Sequence, residues 1–399
     1  MKAIAAICTF FAAVIAPAAE KIPAFRAQDI DTKIEIGYGL AIADVDGDGK
    51  QDILLADKKQ FVWYQNPSWA KHVLAENLTQ HDNVCIAARD IDGDGKCEIA
   101  VGAEWNPGDT VNSGAVFYLI APADRSQKWE PVKLQAEPTT HRMKWVRRGT
   151  KDDGKPRYDL VVVPLHGRGN KNGAGAGVKV LAYQMPRNPK DEWKTEVVCE
   201  DMHMTHNFEF AMFPWNGDTW ICLAGKEGIS IFTPSAPGSK WHQKNWIAQH
   251  TASVPMLPGA GEVRQSDFFR NVAAVEPMHG NSLVLYRRDD SKGGLSWNRT
   301  VLDSTLDDGH ALACGDLLGL GRDQIVVGWR ANANKLAKVG IKMFVPDEKG
   351  EKWTQHLIDD NTMASEDLVL ADLNGDGKPE IIASGRRTKN MKVYWNETK

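Results

Sequence analysis

The chain of 399 residues is expected to fold as an all-β, seven-bladed β-propeller built of four-stranded blades. Three observations carry that expectation. An acidic stretch recurs three times among short apolar runs. A Trp opens a similar segment in six successive units. The last unit stops one strand short, and the N-terminal region supplies a segment that completes it.

The acidic stretch reads "DVDGDGKQD" at Asp44–Asp52, "DIDGDGKCE" at Asp90–Glu98 and "DLNGDGKPE" at Asp372–Glu380. It is framed by "YGLAIADV" and "DILLAD", by "NVCIAARDI" and "EIAVGAE", and by "DLVLADL" and "EIIASG". Short apolar runs joined by Asp-Gly turns predict β-hairpins, and helical periodicity is nearly absent. The Trp segments are "WAKHVLAEN" (Trp69), "WEPVKLQAE" (Trp129), "WKTEVVCED" (Trp193), the looser "WHQKNWIAQH" (Trp241), "WNRTVLDST" (Trp297) and "WTQHLIDDN" (Trp353), spaced by 48 to 64 residues. Each closes a unit of inner strand, turn, second strand, loop, third strand and Trp strand. These Trp side chains are expected to pack between blades.

A seventh unit starts near Met363 and ends after its third strand. "FRAQDIDTK" (Phe25–Lys33) is the expected fourth strand, with Phe25 where the Trp would stand. Pairing the two ends of the chain closes the ring and hides its edges. Residues 19–399 then form a single domain. Residues 1–18 read as a secretory signal: Lys2, an apolar run from Ala3 to Ile15, and a small-residue cleavage site at Ala16-Pro17-Ala18. The mature chain is expected in a secreted or periplasmic location. No other apolar run is long enough for a membrane helix, so no membrane insertion is expected. A formal net charge of −4 gives no case for a nucleic-acid partner. Cys85, Cys97, Cys199, Cys222 and Cys314 remain after cleavage, an odd number in strand-like runs, which argues against a disulfide scaffold.

Carboxylates at alternate positions of a curved turn can converge on one hard cation. The candidate calcium ligands are Asp44, Asp46, Asp48 and Asp52; Asp90, Asp92, Asp94 and Glu98; and Asp372, Asn374, Asp376 and Glu380. The plainer alternative is three solvated hairpin turns. These stretches resemble the FG-GAP/VCBS-type propeller repeats, and the resemblance implies structural Ca²⁺ in this turn. The sixth unit ("DLLGLGRDQ") keeps Asp316 and Asp323 but loses the acids between, the third ("GTKDDGKPRYD") has Gly149 and Lys151 where acids should stand, and both are expected to hold no calcium.

In a propeller, first-to-second and third-to-fourth turns share one face. Links between blades and second-to-third loops share the other. The acidic turns therefore belong to the frame. The opposite face collects Tyr38, His81, His141, His203, His206, Arg264, Asp267, His310 and Glu366 from the links, and Glu104, His166, Arg168, Lys171, Arg287, Arg330 and Arg386 from the loops. Six of the eleven His fall there. Any one of them reads best as a surface loop residue. Their equivalent positions in different blades point to a shared site. His81, His141, His206, His310 and Glu366 are candidates for Zn²⁺ or another divalent transition ion. Tyr38, Lys171, Arg287, Arg330 and Arg386 are candidates for binding an oxyanion or polyhydroxylated ligand. HExxH, G-x-S-x-G and CxxC are absent, which leaves metallopeptidase, serine hydrolase and thioredoxin-type chemistry without support.

The stretch "HRMKWVRRGT…DLVVVPLHGRGNKNGAGAGVKVLAYQMP" (His141–Pro186), followed by "MTHNFE", is similar to the propeller domain of aldos-2-ulose dehydratases. That resemblance implies elimination of water from keto-sugars such as anhydrofructose. Such a reaction needs a base for the acidic C–H, an electrophile for the enolate and an acid for the departing hydroxyl. His141, His166, Arg168, His206 and His310 are the candidate catalytic residues. The substrate expected is a small carbohydrate or oligosaccharide. Two alternatives stand beside this one: a non-catalytic propeller that binds glycans or proteins, and a polysaccharide lyase acting on uronate polymers.

Overall fold

The computed structural model describes residues 21–150, 154–212, 219–234, 241–249, 259–266, 270–292, 296–333 and 336–399. The expected signal segment, residues 1–18, lies outside them, as do Asp267 and Lys151 of the third unit's turn. The described strands pair into seven antiparallel four-stranded sheets. Their inner strands are Gly39–Ala43, Cys85–Arg89, Thr140–Thr150, Thr205–Met212, Val263–Ser266, Gly309–Gly315 and Ser365–Ala371. Each packs beside the next, and Ser365–Ala371 packs beside Gly39–Ala43, so the ring closes. The protein is the expected all-β seven-bladed propeller.

Closure uses the expected segment. Phe25–Asp31 runs antiparallel to Asn390–Asn396, with Phe25 opposite Asn396 and Gln28 opposite Val393. The Glu397 N–H donates to Ala24 O at 2.8 Å, and Trp395 Nε1 donates to Gln28 Oε1 at 2.7 Å. The strand edge of Asn390–Asn396 is thereby covered.

Position in the blade explains sequence character. Second strands such as Asp52–Ala56 and Gln324–Trp329 are buried at every residue, because a blade has a neighbour on both faces. They read as unbroken apolar runs. Outer strands such as Lys194–Cys199 and Trp297–Asp303 carry charged residues and are buried only at their last one or two positions. The cores are the seams between blades. Trp129 fills the seam of the first and second blades, Trp193 that of the second and third, and Trp241 that of the third and fourth. Trp297 and Trp353 pack into the next two. Phe25 takes the equivalent place between the sixth and seventh blades, and Trp69 between the seventh and first. The recurrent aromatic is therefore seam packing, and replacing one by Ala is expected to cost about 3–5 kcal/mol. A chemical-denaturation series on Trp129→Ala and Trp193→Ala would measure it.

Cys85, Cys97, Cys199 and Cys222 are buried free thiols. No helix among the described residues is long and apolar enough to cross a membrane.

The three acidic turns close in the same way. The first carboxylate receives two backbone N–H groups: Gly47 and Gly49 at Asp44, Gly93 and Gly95 at Asp90, Gly375 and Gly377 at Asp372, at 2.7 to 3.0 Å. Those glycines have φ between +76° and +87°, a region closed to most side chains. The acid that ends each stretch turns inward. Asp52, Glu98 and Glu380 accept the N–H of Val45, Ile91 and Leu373 at 2.9, 2.9 and 2.7 Å.

Candidate functional site

The mouth of the central channel is built by irregularities at the start of inner strands. Pairing between first and second strands shifts register between Thr140 and Arg142, between Thr205 and Phe208, between Gly309 and Ala311, and between Ser365 and Asp367. The residues skipped are His141, His206 with Asn207, His310, and Glu366. A β-bulge re-aims the side chain it releases from the ladder. Four blades thus place a polar group at the same height.

The imidazoles of His141 and His206 lie 4.6 Å apart between ring centres, and those of His206 and His310 lie 5.1 Å apart. His279 joins them, 4.6 Å from His206 and 4.8 Å from His310. Trp105 stacks on His141 at 4.9 Å. Each inner-strand ring is held by a carbonyl of another blade. His141 Nδ1 donates to His206 O at 2.9 Å, and His310 Nδ1 donates to Glu366 O at 2.7 Å. His206 Nδ1 donates to Gly261 O at 3.2 Å, with Glu262 Oε1 at the same distance. Those bonds fix the tautomer with its lone pair on Nε2, as second-shell partners do for metal-ligating imidazoles, and Arg142 Nη1 lies 3.3 Å from His141 Nε2. His206 Nε2 and His279 Nε2 stand 2.7 Å apart.

Electrostatics keep the cluster neutral. Burial first, then the adjacent Arg142 and Arg330 guanidiniums, hold His141 and His310 well below the usual imidazole range. Burial lowers His206 too, against the pull of Glu262. Burial would raise Glu262, but His206 and Arg264 beside it bring its carboxyl down to about 2. Neutral imidazole is the form that binds metals. One nitrogen from each of His206, His279 and His310 lies within 4.8 Å of the others, so the three could close on a single ion. Tetrahedral Zn–N bonds would need the His206 and His279 nitrogens about half an ångström further apart.

Charged residues brace the cluster. Arg330 donates to Asp308 at 2.9 Å, to Glu366 at 2.6 Å, and lies 3.4 Å from His279 Nδ1. Arg386 holds the other Glu366 oxygen at 3.0 Å and lies over the ring of Tyr38, whose hydroxyl donates to Asp82. Glu366 is therefore clamped between two guanidiniums, which opposes its expected role as a metal ligand. Arg330 is spent on the same clamp. Below the cluster the channel widens into a cavity of about 270 Å³ lined by Arg142, Lys144, Asn207, Glu209, Arg264 and Asp367, among others. Asn207 donates to Glu262 at 2.7 Å, and Lys144 to Glu209 at 3.0 Å.

Other expected residues stand on the rim. His81 pairs with Glu104, away from the cluster. His166 is buried at the head of the Gly-rich loop, and its Nδ1 has no partner among the described residues. Arg168 is tied to Val111 O and Glu137. Lys171 sits in a small hairpin with Ala174. Arg287 is a correction: it is the second-to-last residue of the third strand Ser282–Arg288, so it lies on the face of the acidic turns. Arg264 is likewise inside an inner strand rather than in a link. The fifth blade has no acidic turn to mark its first hairpin, and its register could not be read from composition. The same displacement hid His279, which occupies the fifth blade's second-to-third loop, and Glu262. "EPMHGNS" between two apolar runs was the available signal.

The acids at positions one, three and five of the first two turns converge within 4.8 Å, as Asp44, Asp46 and Asp48 and as Asp90, Asp92 and Asp94. In the third, Glu380 Oε1 is buried without a partner among the described residues. The turns lie on the face opposite the His cluster.

Comparison with known proteins agrees with this architecture. Among solved structures, that of BBS1N in complex with ARL6DN, soaked with mercury, aligns with a TM-score of 0.57 at 12% identity, covering 94% of this chain and 97% of that one. A chain of the Mitotic Checkpoint Complex gives 0.56 at 11% identity over 99% and 100%. Saccharomyces cerevisiae Sqt1 gives 0.53 at 11% identity over 93% and 97%. These likenesses show the fold alone. No curated protein matches the sequence. Residues 44–101 match the FG-GAP-like repeat family. Residues 113–289, which carry His141, His166, Arg168, His206, Glu262 and His279, match the family described as aldos-2-ulose dehydratase, beta-propeller domain, so the chain is a propeller that resembles that domain.

Proposed function

We propose that the protein is a secreted or periplasmic carbohydrate-active lyase that eliminates water from a keto-sugar, such as an anhydrofructose or a 3-keto-glycoside. The observation that carries this reading is the convergence of His206, His279 and His310 on one point at the channel mouth. The family match over the segment that supplies most of the cluster supports it. His206, His279 and His310 would hold a divalent transition ion such as Zn²⁺. That ion would supply Lewis-acid polarisation of the substrate carbonyl.

The remaining steps fall to the chain's own groups. His141 Nε2, once its 3.3 Å contact with Arg142 Nη1 opens, accepts the proton from the carbon next to the ketone. The electron pair left behind forms the C=C bond as the β-hydroxyl departs. The His141 imidazolium, made strongly acidic by burial and Arg142, returns the proton to that hydroxyl, and water leaves. Arg386 is half-buried beside the mouth, lies over the buried Tyr38 ring and, with Lys171 on the rim, orients the sugar hydroxyls. Incubation with 1,5-anhydrofructose and 3-keto-glycosides is expected to raise enone absorbance in the ultraviolet. If no keto-sugar turns over, the reading as a glycan- or protein-binding propeller replaces this one.

The acidic turns are proposed to hold structural Ca²⁺. Burial and then the neighbouring carboxylates push Asp52 and Glu98 up to about 7. A carboxyl raised in this way contributes stability that is complete below its unfolded value and is lost as pH rises through the folded one. Calcium favours the ionised form and reverses that loss. The rise in melting temperature on adding Ca²⁺ is therefore expected to be larger at about pH 8 than at about pH 5. An equal rise at both values would contradict calcium binding in these turns.

A further inference from the structure

Three largely buried guanidiniums of this propeller are each paired with two carboxylates. Arg148 is held by Asp159 and Glu196, Arg264 by Glu209 and Glu262, and Arg330 by Asp308 and Glu366. Such pairing offsets the cost of taking a charge out of water. Arg142 is the exception. It is 8% exposed and makes no ion pair among the described residues. Its hydrogen bonds come from Nη1 alone, to His141 O at 3.1 Å and to His141 Nε2 at 3.3 Å, and both of those are neutral groups.

The Nε–Nη2 edge of Arg142 is left unused. Neither nitrogen bonds to another described residue, and neither is sealed off, because the side chain lines the channel cavity of about 270 Å³ below the His cluster. These two N–H groups lie side by side in one plane and match two oxygens of a carboxylate or phosphate. The other charges around the cavity are Lys144, Arg264, Glu209 and Asp367. Both carboxylates are committed elsewhere. Glu209 accepts from Lys144 at 3.0 Å and from the Phe210 N–H at 2.9 Å. Asp367 accepts the N–H groups of Leu40 and Leu368 at 2.8 and 2.9 Å. Arg142, Lys144 and Arg264 against Glu209 and Asp367 leave the lining with an excess of positive charge. A divalent ion on His206, His279 and His310 would add to that excess.

The chemistry of that edge narrows the ligand. A neutral hydroxyl accepts from it but leaves the charge uncompensated. A halide offsets the charge at a single point and leaves half the fork unused. We propose that Arg142 holds a small oxyanion, a carboxylate or a tetrahedral group such as phosphate, in the channel cavity directly beneath the His cluster. The oxyanion is either a free ion or part of a sugar. In the second case, which rests on the lyase reading, the substrate is a keto-sugar acid or keto-sugar phosphate. Its anionic group then seats it against His141, whose Nε2 adjoins the same guanidinium. Binding of the oxyanion itself does not depend on the lyase reading.

The test is isothermal titration calorimetry on the full chain with acetate, sulfate, glucuronate and glucose at constant ionic strength. The wild type is compared with Arg142→Gln, Arg142→Lys and His310→Ala, each checked for a cooperative melt. Arg142→Gln strands no carboxylate, so it should fold; if it does not, Arg142→Lys carries the same test. At least one of the three oxyanions is expected to saturate the wild type. Its affinity should fall about tenfold to a hundredfold in Arg142→Gln, the worth of a hydrogen bond to a charged group. It should fall about tenfold in Arg142→Lys, which keeps the charge and loses the fork. It should persist in His310→Ala, which removes a candidate metal ligand and leaves the guanidinium. Tighter binding of glucuronate than of acetate would place the oxyanion on a sugar, and equal binding would point to a free ion. The proposal would be overturned by no saturable oxyanion binding, by glucose binding as tightly as glucuronate, or by affinity that survives both Arg142 variants. Binding lost in His310→Ala but kept in Arg142→Gln would overturn it too, because the metal would then be the anion's partner.

Discussion

Deleting residues 21–33 is expected to destabilise the whole propeller by about 3 kcal/mol or more, the scale of losing one packed aromatic. Phe25 packs into the seam between the sixth and seventh blades, and Ile30 into the seam between the seventh and first. Asp31 accepts from Tyr64 at 2.7 Å and Lys71 at 3.0 Å, so the segment also ties the seventh blade to the first. Its loss bares the edge of Asn390–Asn396, whose unpaired N–H and C=O groups would template association with other chains. A lower denaturation midpoint and concentration-dependent aggregation are the expected readouts. A truncated chain that melts with the parent would contradict closure through this strand.

The second large effect separates the two faces. His206→Ala and His310→Ala are expected to lower keto-sugar turnover by about 10²–10⁴-fold, the range for a positioned acid–base group, and to abolish stoichiometric Zn²⁺. They also carry a stability cost. Both rings are buried and bond to carbonyls of other blades, so about 1–3 kcal/mol should be lost as well. Asp46→Ala and Asp92→Ala are expected to blunt stabilisation by Ca²⁺ while leaving turnover of the folded fraction nearly intact. Steady-state rates normalised to folded protein, with metal content on the same samples, check both halves. His variants that remain fully active would remove the mouth from the chemistry.

Much of this architecture is legible in the chain itself. Unbroken apolar runs such as Asp52–Ala56, the Asp-Gly turns and the recurrent Trp report features that are local in sequence, and each has a direct structural counterpart. The unmatched "FRAQDIDTK" predicts the closing strand because the last unit lacks one. The site was legible only in part. His141, His206 and His310 could be placed on one face by topology. That a register shift releases each of them from its ladder could not, because a bulge leaves no mark on an alternating pattern. His279 was hidden by the fifth blade, where a hairpin without acidic residues gives no landmark. Glu366 reads as a free carboxylate until Arg330 and Arg386 meet it, and they come from two different blades. Such pairings depend on how blades are rotated about the axis, which local pattern does not encode.

Transition-metal chemistry is proposed for the His cluster at the channel mouth, and a frame role for the acidic turns on the opposite face. Anomalous diffraction at the zinc edge, from crystals of the full chain grown with Zn²⁺ and excess Ca²⁺, tests it most directly. One strong peak is expected between the ring nitrogens of His206, His279 and His310 and none at the turns. A zinc peak at Asp44–Asp48 or Asp90–Asp94, with nothing at the mouth, would contradict it.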